Sequence, residues 1–271
     1  MDFPEAGFVT VANTEKRRKR IIEDISHLRE LPTIPAASIH SLVGVCTFAE
    51  AQTSGRVGAS VLRDVRNAAR LGGPDGRRKL VASLTALSDY TAAVAPRRIR
   101  ISKSLPPAII LTDAASESAG VSIGAVLIDP VSKSYQFFGK KLQHQLAARW
   151  RSLGKNQVIC QAELLAVPIA IATWLPILNG RDVLVFIDND PAREALIRGT
   201  SVSEDSTNYV RACRLLCANA GLAPWYARVA SPSNLSDLPS RGDFQLLLDS
   251  GAICVEPSSL ACEPDLVFLP F

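Results

Sequence analysis

Four carboxylates define the chemistry open to this chain. Ala108-Ile109-Ile110-Leu111-Thr112-Asp113 and Val183-Leu184-Val185-Phe186-Ile187-Asp188 are continuous apolar runs, each closed by an aspartate. Runs of this length and β-branched content predict buried strands, and acids at strand ends of a mixed sheet stand at its open rim. Glu163 falls near the start of the apolar helical stretch between them, and Asp237 opens a short helix further on. Four carboxylates drawn to one rim repel one another and resist ionisation. Divalent cations relieve that repulsion, and an all-oxygen donor set favours Mg²⁺ or Mn²⁺ over zinc. Two such ions about 4 Å apart support in-line attack on a phosphodiester, one activating water and one stabilising the leaving 3′ oxygen.

Taken singly, an aspartate after a strand is a turn former or helix cap. The order of the four acids across the predicted elements carries the metal reading. Asp190 stands apart from them: with Pro191 behind it, it reads as the N-cap of the next helix. Glu117, in a polar turn, reads as solvent-facing. Trp150, Trp174 and Trp225 read as packing residues rather than base-stacking platforms.

The elements that must position these acids form two groups. Residues 14–103 are helical in pattern. Ile21, Ile25 and Leu28 form one stripe behind the basic run Lys16-Arg17-Arg18-Lys19-Arg20. Ile39, Leu42, Cys46 and Ala49 form a second stripe after Pro35, and Leu80, Leu84, Leu87 and Val94 a third before Pro96. Gly55–Gly58 and Leu71–Gly76 read as a turn and a loop. At Pro106-Pro107 the pattern changes to strands over 108–113, 121–128 and 135–140, a meander turned at Asp129-Pro130. A helix over 163–178, a strand over 183–188, helices from 190 and over 207–220, a strand over 225–229 and a short helix near 235–240 follow. The order is β-β-β-α-β-α-α-β-α, an α/β class with a mixed sheet. The expected domains are 1–104, a small helical region; 105–245, the α/β domain; and 246–271, an acidic, irregular tail. No internal repeat is visible.

Composition agrees with this division. Of 271 residues, 47% are hydrophobic and 21% charged, which excludes wholesale disorder. Residues 1–110 carry 17 Lys/Arg against 10 Asp/Glu and the remainder 13 against 16, net charges of +7 and −3. A basic third suggests a polyanion partner. The 16–20 run reads equally as a solvated helix face or as phosphate contacts, with nuclear import a minor alternative; Arg97, Arg98, Arg100 and Lys103 share the first two readings. The start, MDFPEAGF, lacks a secretory pattern. The longest apolar run, Leu164–Leu178, holds Pro168 and Pro176 and is short for a membrane span, so no membrane partner is expected and an intracellular, soluble chain is. The six cysteines include no CxxC pair, and Cys213 and Cys217, which share a helical face, lie far in sequence from the three histidines, so reduced thiols are expected rather than zinc.

The element order together with ILTDAAS, QVICQAELLAV, VFIDND and SNLSDLPSR resembles the ribonuclease H domain of reverse transcriptases, over about residues 105–245. The resemblance implies an α/β ribonuclease H-like fold and a hydrolase that cuts the RNA strand of RNA–DNA hybrids with two magnesium ions. Carried over residue by residue, it puts Asp113 on the first strand, Glu163 on the first helix, Asp188 after the fourth strand and Asp237 before the last helix, all four catalytic and metal-binding. Ser116 and Asn189 would meet the hybrid's minor groove, and Arg241 joins Lys16–Arg20 among the nucleic-acid contacts. Asn234-x-x-Asp237-x-x-Ser240-Arg241 is similar to the version in retroelement polyproteins. GFVTVANTEKRRKRIIEDI, SLVGVCTFAEAQTSGRVGASVL and PRRIRIS resemble the thumb and connection upstream of such a domain. No Asp-Asp pair occurs, so the polymerase site is missing and the chain reads as a C-terminal piece of a reverse transcriptase, with the polymerase part of a longer polyprotein as a further partner. Two departures stand out: Pro168, five residues after Glu163, predicts a kink, and no histidine precedes Asp237 in its loop. A catalytically inactive hybrid-binding remnant is therefore the alternative. A nucleotide-binding α/β protein is a third, disfavoured by the single late glycine in 114–120.

Overall fold

The computed structural model describes residues 8–53, 57–100, 105–118, 120–152, 158–260 and 268–269. The chain divides into two compact units, residues 1–103 and 104–271.

In the first unit, β1 (Phe8–Val11) is followed by α1 (Glu15–Glu30), α2 (Ala36–Thr53), α3 (Ala59–Ala68), α4 (Gly73–Ala93) and β2 (Arg97–Arg100). The Thr14 side chain accepts from the backbone N–H of Arg17 and starts α1. Ile21, Ile25 and Leu28 from α1 meet Ile39, Leu42, Cys46 and Ala49 from α2 and Leu80, Leu84 and Leu87 from α4 in one core. Three stripes expected from periodicity thus converge, except that Val94, at the end of α4, stays outside this core. Two elements escape that reading. Helix α3 adds Leu62 and Val65, and β1 pairs with β2 antiparallel from opposite ends of the unit. Of the turn expected over 55–58, residues 57 and 58 form a turn and the rest lies outside the described residues. The 71–76 loop is shorter than expected, because Pro74 lies in the first turn of α4. Buried Glu50 accepts the Gly58 N–H at 2.7 Å and so ties the end of α2 to the start of α3.

The second unit runs β3 (Ala108–Glu117), β4 (Gly120–Asp129), β5 (Ser134–Leu142), α5 (His144–Ser152), α6 (Ile159–Leu178), β6 (Val183–Ile187), α7 (Asp190–Arg198), α8 (Glu204–Asn219), β7 (Trp225–Arg228), α9 (Asp237–Ser240), α10 (Gln245–Asp249), β8 (Ile253–Cys254) and β9 (Phe268–Leu269). It is a mixed α/β fold with the expected order, an added helix, α5, within it, and α10, β8 and β9 after it. The sheet order is β7-β6-β3-β4-β5-β8, with β9 also on β5. β3, β4 and β5 form the antiparallel meander, while β6 joins β3 and β7 joins β6 in parallel.

One face of the sheet packs Ile110, Ala114, Ile123, Ala125 and Phe138 against α6 and α8. The other packs Leu111, Val126 and Phe137 against the α9–α10 segment through Leu238, Phe244 and Leu247. Helix α6 is long and apolar enough to cross a bilayer, but 72% of that window is buried inside the fold, so its apolar surface belongs to the core. It continues through Pro168, which is itself buried, and Glu163 lies one turn upstream on the unbroken helix. The expected kink does not displace it.

Two further corrections concern the edges. The tail expected after 245 is not irregular throughout: α10 packs Leu247 into the core, and β8 and β9 pair with β5. Trp150 and Trp174 are buried as expected, but Trp225 is 70% exposed, because on edge strand β7 it is the neighbouring Tyr226 that turns inward.

Candidate metal centre

β3 and β6 run parallel and in register, Leu111 beside Phe186 and Thr112 beside Ile187. Both strands therefore deliver the next residue, Asp113 and Asp188, to the same rim. Helix α6 contributes Glu163. Ligand oxygens of Asp113, Glu163 and Asp188 all lie within 4.8 Å of one another, the one such group of acids, histidines or cysteines among the described residues. Asp113 is 4% exposed and Glu163 2%. Three carboxylates at this separation, two of them out of water, form an arrangement that is costly when empty.

The electrostatics record that cost. Burial lifts Asp113 from the ordinary carboxylate range to about 6, with the charges of Asp188 and Asp237 adding to the rise and Ser240 and Arg241 opposing it. Burial also raises Glu163 well above its usual value, reinforced by Asp113 and Asp188. One carboxylate oxygen of Glu163 is buried without any hydrogen-bond partner. A buried carboxyl oxygen without a partner, on a residue grouped with two further carboxylates, fits a bound cation, and the donor set, all oxygen, fits Mg²⁺ or Mn²⁺.

These shifts carry a consequence for stability. A carboxyl whose folded pKa exceeds its unfolded value contributes fully below about pH 4, and that contribution is lost as the pH rises through about 6. For Asp113 the shift corresponds to on the order of 3 kcal/mol. Asp129 has the opposite sign: hydrogen bonds from Ser132, Arg181 and the Val131 N–H outweigh burial and hold it near 2, so its contribution is lost below about pH 4. The metal-free protein is expected to melt at its highest temperature near pH 4 and several degrees lower at pH 7.5, with Asp113→Asn flattening that decline. Calorimetry in chelator across this range checks it; a melting temperature rising from pH 5 to 7.5 would contradict the burial of these acids.

Asp237 is near but not in the triad. Its side chain is 43% exposed and accepts from Arg241 Nε at 2.8 Å, while Arg241 Nη1 reaches Glu117 Oε1 at 3.1 Å. Glu117 thus faces solvent as expected, but as the far end of an arginine bridge from the last acid. The segment carrying Asp237 is fastened to the sheet at several points. Asn234 Nδ2 donates to the Thr112 carbonyl at 3.2 Å, Ser240 Oγ donates to Asp113 Oδ2 at 2.5 Å, and Ser122 Oγ donates to the Ser240 carbonyl at 2.5 Å. Gly124 and Gly139 are cross-strand partners, and Gly124 pairs with Asp113 on its other side. A Cβ on Gly124 would lie 2.3 Å from Ser240 N, and one on Gly139 2.1 Å from Pro239 O. The two bare backbones let α9 lie flush on the sheet beside Asp113.

The remaining sequence candidates are placed differently. Asn189, not Asp190, caps α7: its Oδ1 accepts the Ala192 N–H at 3.0 Å. Asp190 is the first helical residue and pairs with Arg193 and Arg228. Ser116 is exposed, but strand alternation turns it to the opposite face of β3 from Asp113. In the first unit, Arg17 donates to Asn13 and lies over the Phe48 ring, and Arg18 donates to the Ala92 carbonyl. Lys16, Lys19 and Arg20 are exposed, the latter two 3.8 Å from Glu15 and Asp24. Ser240, Ser122 and the glycine pair were not singled out from sequence. The Ser240-Arg241 end of the motif was the available signal.

No family model matches the chain, and no curated protein matches it. Among solved structures it is similar to ribonuclease H1 from the halophilic archaeon Halobacterium salinarum NRC-1, at 14% identity over 52% of this chain and 98% of that one, with a TM-score of 0.39. It is similar to the N-terminal RNase H domain of rv2228c from Mycobacterium tuberculosis, solved as a fusion with maltose binding protein, at 15% identity over 54% and 99%, TM-score 0.37. The foamy viral protease–reverse transcriptase in complex with dsDNA is similar at 11% identity over 83% of this chain and 44% of that one, TM-score 0.30.

Proposed function

We propose that the chain is a divalent-metal-dependent endonuclease of ribonuclease H type, cutting the RNA strand of RNA–DNA hybrids as the C-terminal part of a reverse transcriptase. The observation that carries the reading is the triad of buried Asp113, buried Glu163 and half-buried Asp188 with an orphaned Glu163 oxygen. The motifs around each acid, and the order of the elements that bear them, support the same assignment. Asp113, Glu163 and Asp188 would hold the cations, with Asp237 completing the set from the flank. Bound there, two Mg²⁺ ions would supply an activated water and neutralise the leaving 3′ oxygen. The protein's own part is to hold three carboxylates in fixed positions on two parallel strands and a core helix, so that little reorganisation remains at the reacting phosphate. Arg241, half-exposed beside the acids, suits a phosphate oxygen of the cleaved strand.

The test is cleavage of an end-labelled RNA–DNA hybrid. Cutting of the RNA strand alone is expected with Mg²⁺ or Mn²⁺, none in chelator, and none with Ca²⁺, whose looser coordination spoils in-line geometry. Cleavage that survives chelation would overturn the metal reading. Hybrid binding without cleavage at any metal concentration would leave an inactive binding remnant in its place.

A further inference from the structure

We propose that Ser240 is a positioning residue for the acidic centre: its buried hydroxyl fixes the Asp113 carboxylate in the orientation that receives a divalent cation. The inference rests on the metal-centre reading above. Ser240 is completely buried, and its hydroxyl reaches Asp113 across 127 residues of sequence. A hydroxyl has one proton to give. Two acceptors compete for it, the Asp237 carbonyl at 2.9 Å and Asp113 Oδ2 at 2.5 Å, and the charge-assisted contact to the carboxylate is the stronger. The donor is not adaptable. Its own carbonyl accepts from Ser122, its N–H donates to the Ser236 carbonyl at 3.0 Å, and its backbone lies against Gly124, where no side chain separates helix from strand.

The same segment also holds the preceding residue, since Asn234 donates to the Thr112 carbonyl. Two successive residues of β3 are therefore gripped by one motif, first at the backbone and then at the functional carboxylate. With Oδ2 engaged, rotation of the Asp113 carboxylate is restricted. A donor on that oxygen also stabilises the ionised form, the one that binds cations. In this reading, Ser240 belongs to the motif for what it does to the first acid as much as for its place in the helix of the last.

The experiment uses the full chain and Mn²⁺ alone, titrated and read by the EPR signal of free Mn²⁺ well below the melting temperature. Ser240→Ala removes the donor and adds no volume. The expected result is a Kd for Mn²⁺ raised about 10- to 100-fold, the usual range for partners that orient a metal ligand. A role in holding α9 and nothing more would lower the melting temperature and leave the Kd at the wild-type value, and that result overturns the proposal. Should Ser240→Ala fail to fold, Ser240→Cys, nearly isosteric with a feeble donor, carries the same comparison: a raised Kd supports the assignment and an unchanged one overturns it. Wild-type protein that binds no Mn²⁺ would remove the underlying metal centre as well, so the two failures are distinguishable.

Discussion

Asp188→Asn is expected to reduce hybrid cleavage by more than the ~100-fold that partners outside a metal's own ligand set typically carry. The substitution keeps shape and polarity but withdraws a charge from a cluster whose ligand atoms lie within 4.8 Å. Asp190→Asn, two residues on, is the matched control. Asp190 is not the cap of α7 but a partly exposed member of ion pairs with Arg193 and Arg228, and such pairs contribute about 0–1 kcal/mol. It should cleave at the wild-type rate. The paired readout is cleavage rate and the melting temperature in chelator. Asp188→Asn should melt no lower than wild type, because one of three mutually repelling carboxylates has lost its charge. Equal losses of activity in the two variants would show that the wrong acid has been assigned to the metals.

Gly139→Ala should be among the most damaging single-methyl additions in the second unit. The new Cβ would stand 2.1 Å from the Pro239 carbonyl and 2.7 Å from the Phe244 ring. A backbone carbonyl cannot swing aside as a side-chain end does, so α9 must lift from the sheet. Overpacking of this kind costs about 1–3 kcal/mol, a fall in melting temperature on the order of 5–10 °C for a unit of this size. The functional loss should exceed what the stability loss explains, because lifting α9 also withdraws Ser240 from Asp113 and carries Asp237 away with it. Melting and cleavage measured on the same preparation test this. Wild-type values for both would mean that α9 does not rest on the glycine pair.

What the sequence made legible, and what it hid, follows from the range of the interactions. Asp113 and Asp188 could be read because each closes a run of continuous apolar residues, and a strand covered on both faces leaves that mark in one dimension. Ile21, Ile25 and Leu28, or Leu80, Leu84 and Leu87, were legible for the same reason at helical period. Helix α5 was not, since only Leu146, Ala147 and Trp150 of its nine residues are buried and the rest of His144–Ser152 is exposed. Strands β1 and β8 escaped because four and two residues carry no usable alternation; their partners lie far along the chain. The cap of α7 was misplaced by one residue, Asp190 for Asn189, because both types cap helices and Pro191 fits either register. The grip of Ser240 on Asp113 is a hydrogen bond between distant residues, and nothing in local spacing announces such a contact.

The pairing at the outer side of β5 bears on how far this unit can be shortened. β5 (Ser134–Leu142) is hydrogen-bonded to β4 along one side, and its other side is capped at one end by Ile253–Cys254 and at the other by Phe268–Leu269. A chain ended at residue 245, where the motif-bearing region stops, would keep every acid yet strip both caps. It would bare a nine-residue strand with Phe137 and Phe138 at its centre. Exposed strands of that length recruit others like themselves edge to edge. Ile253–Cys254 and Phe268–Leu269 then act as a sheath against self-association, and a trimmed domain would be lost to aggregation before its acidic centre could be judged.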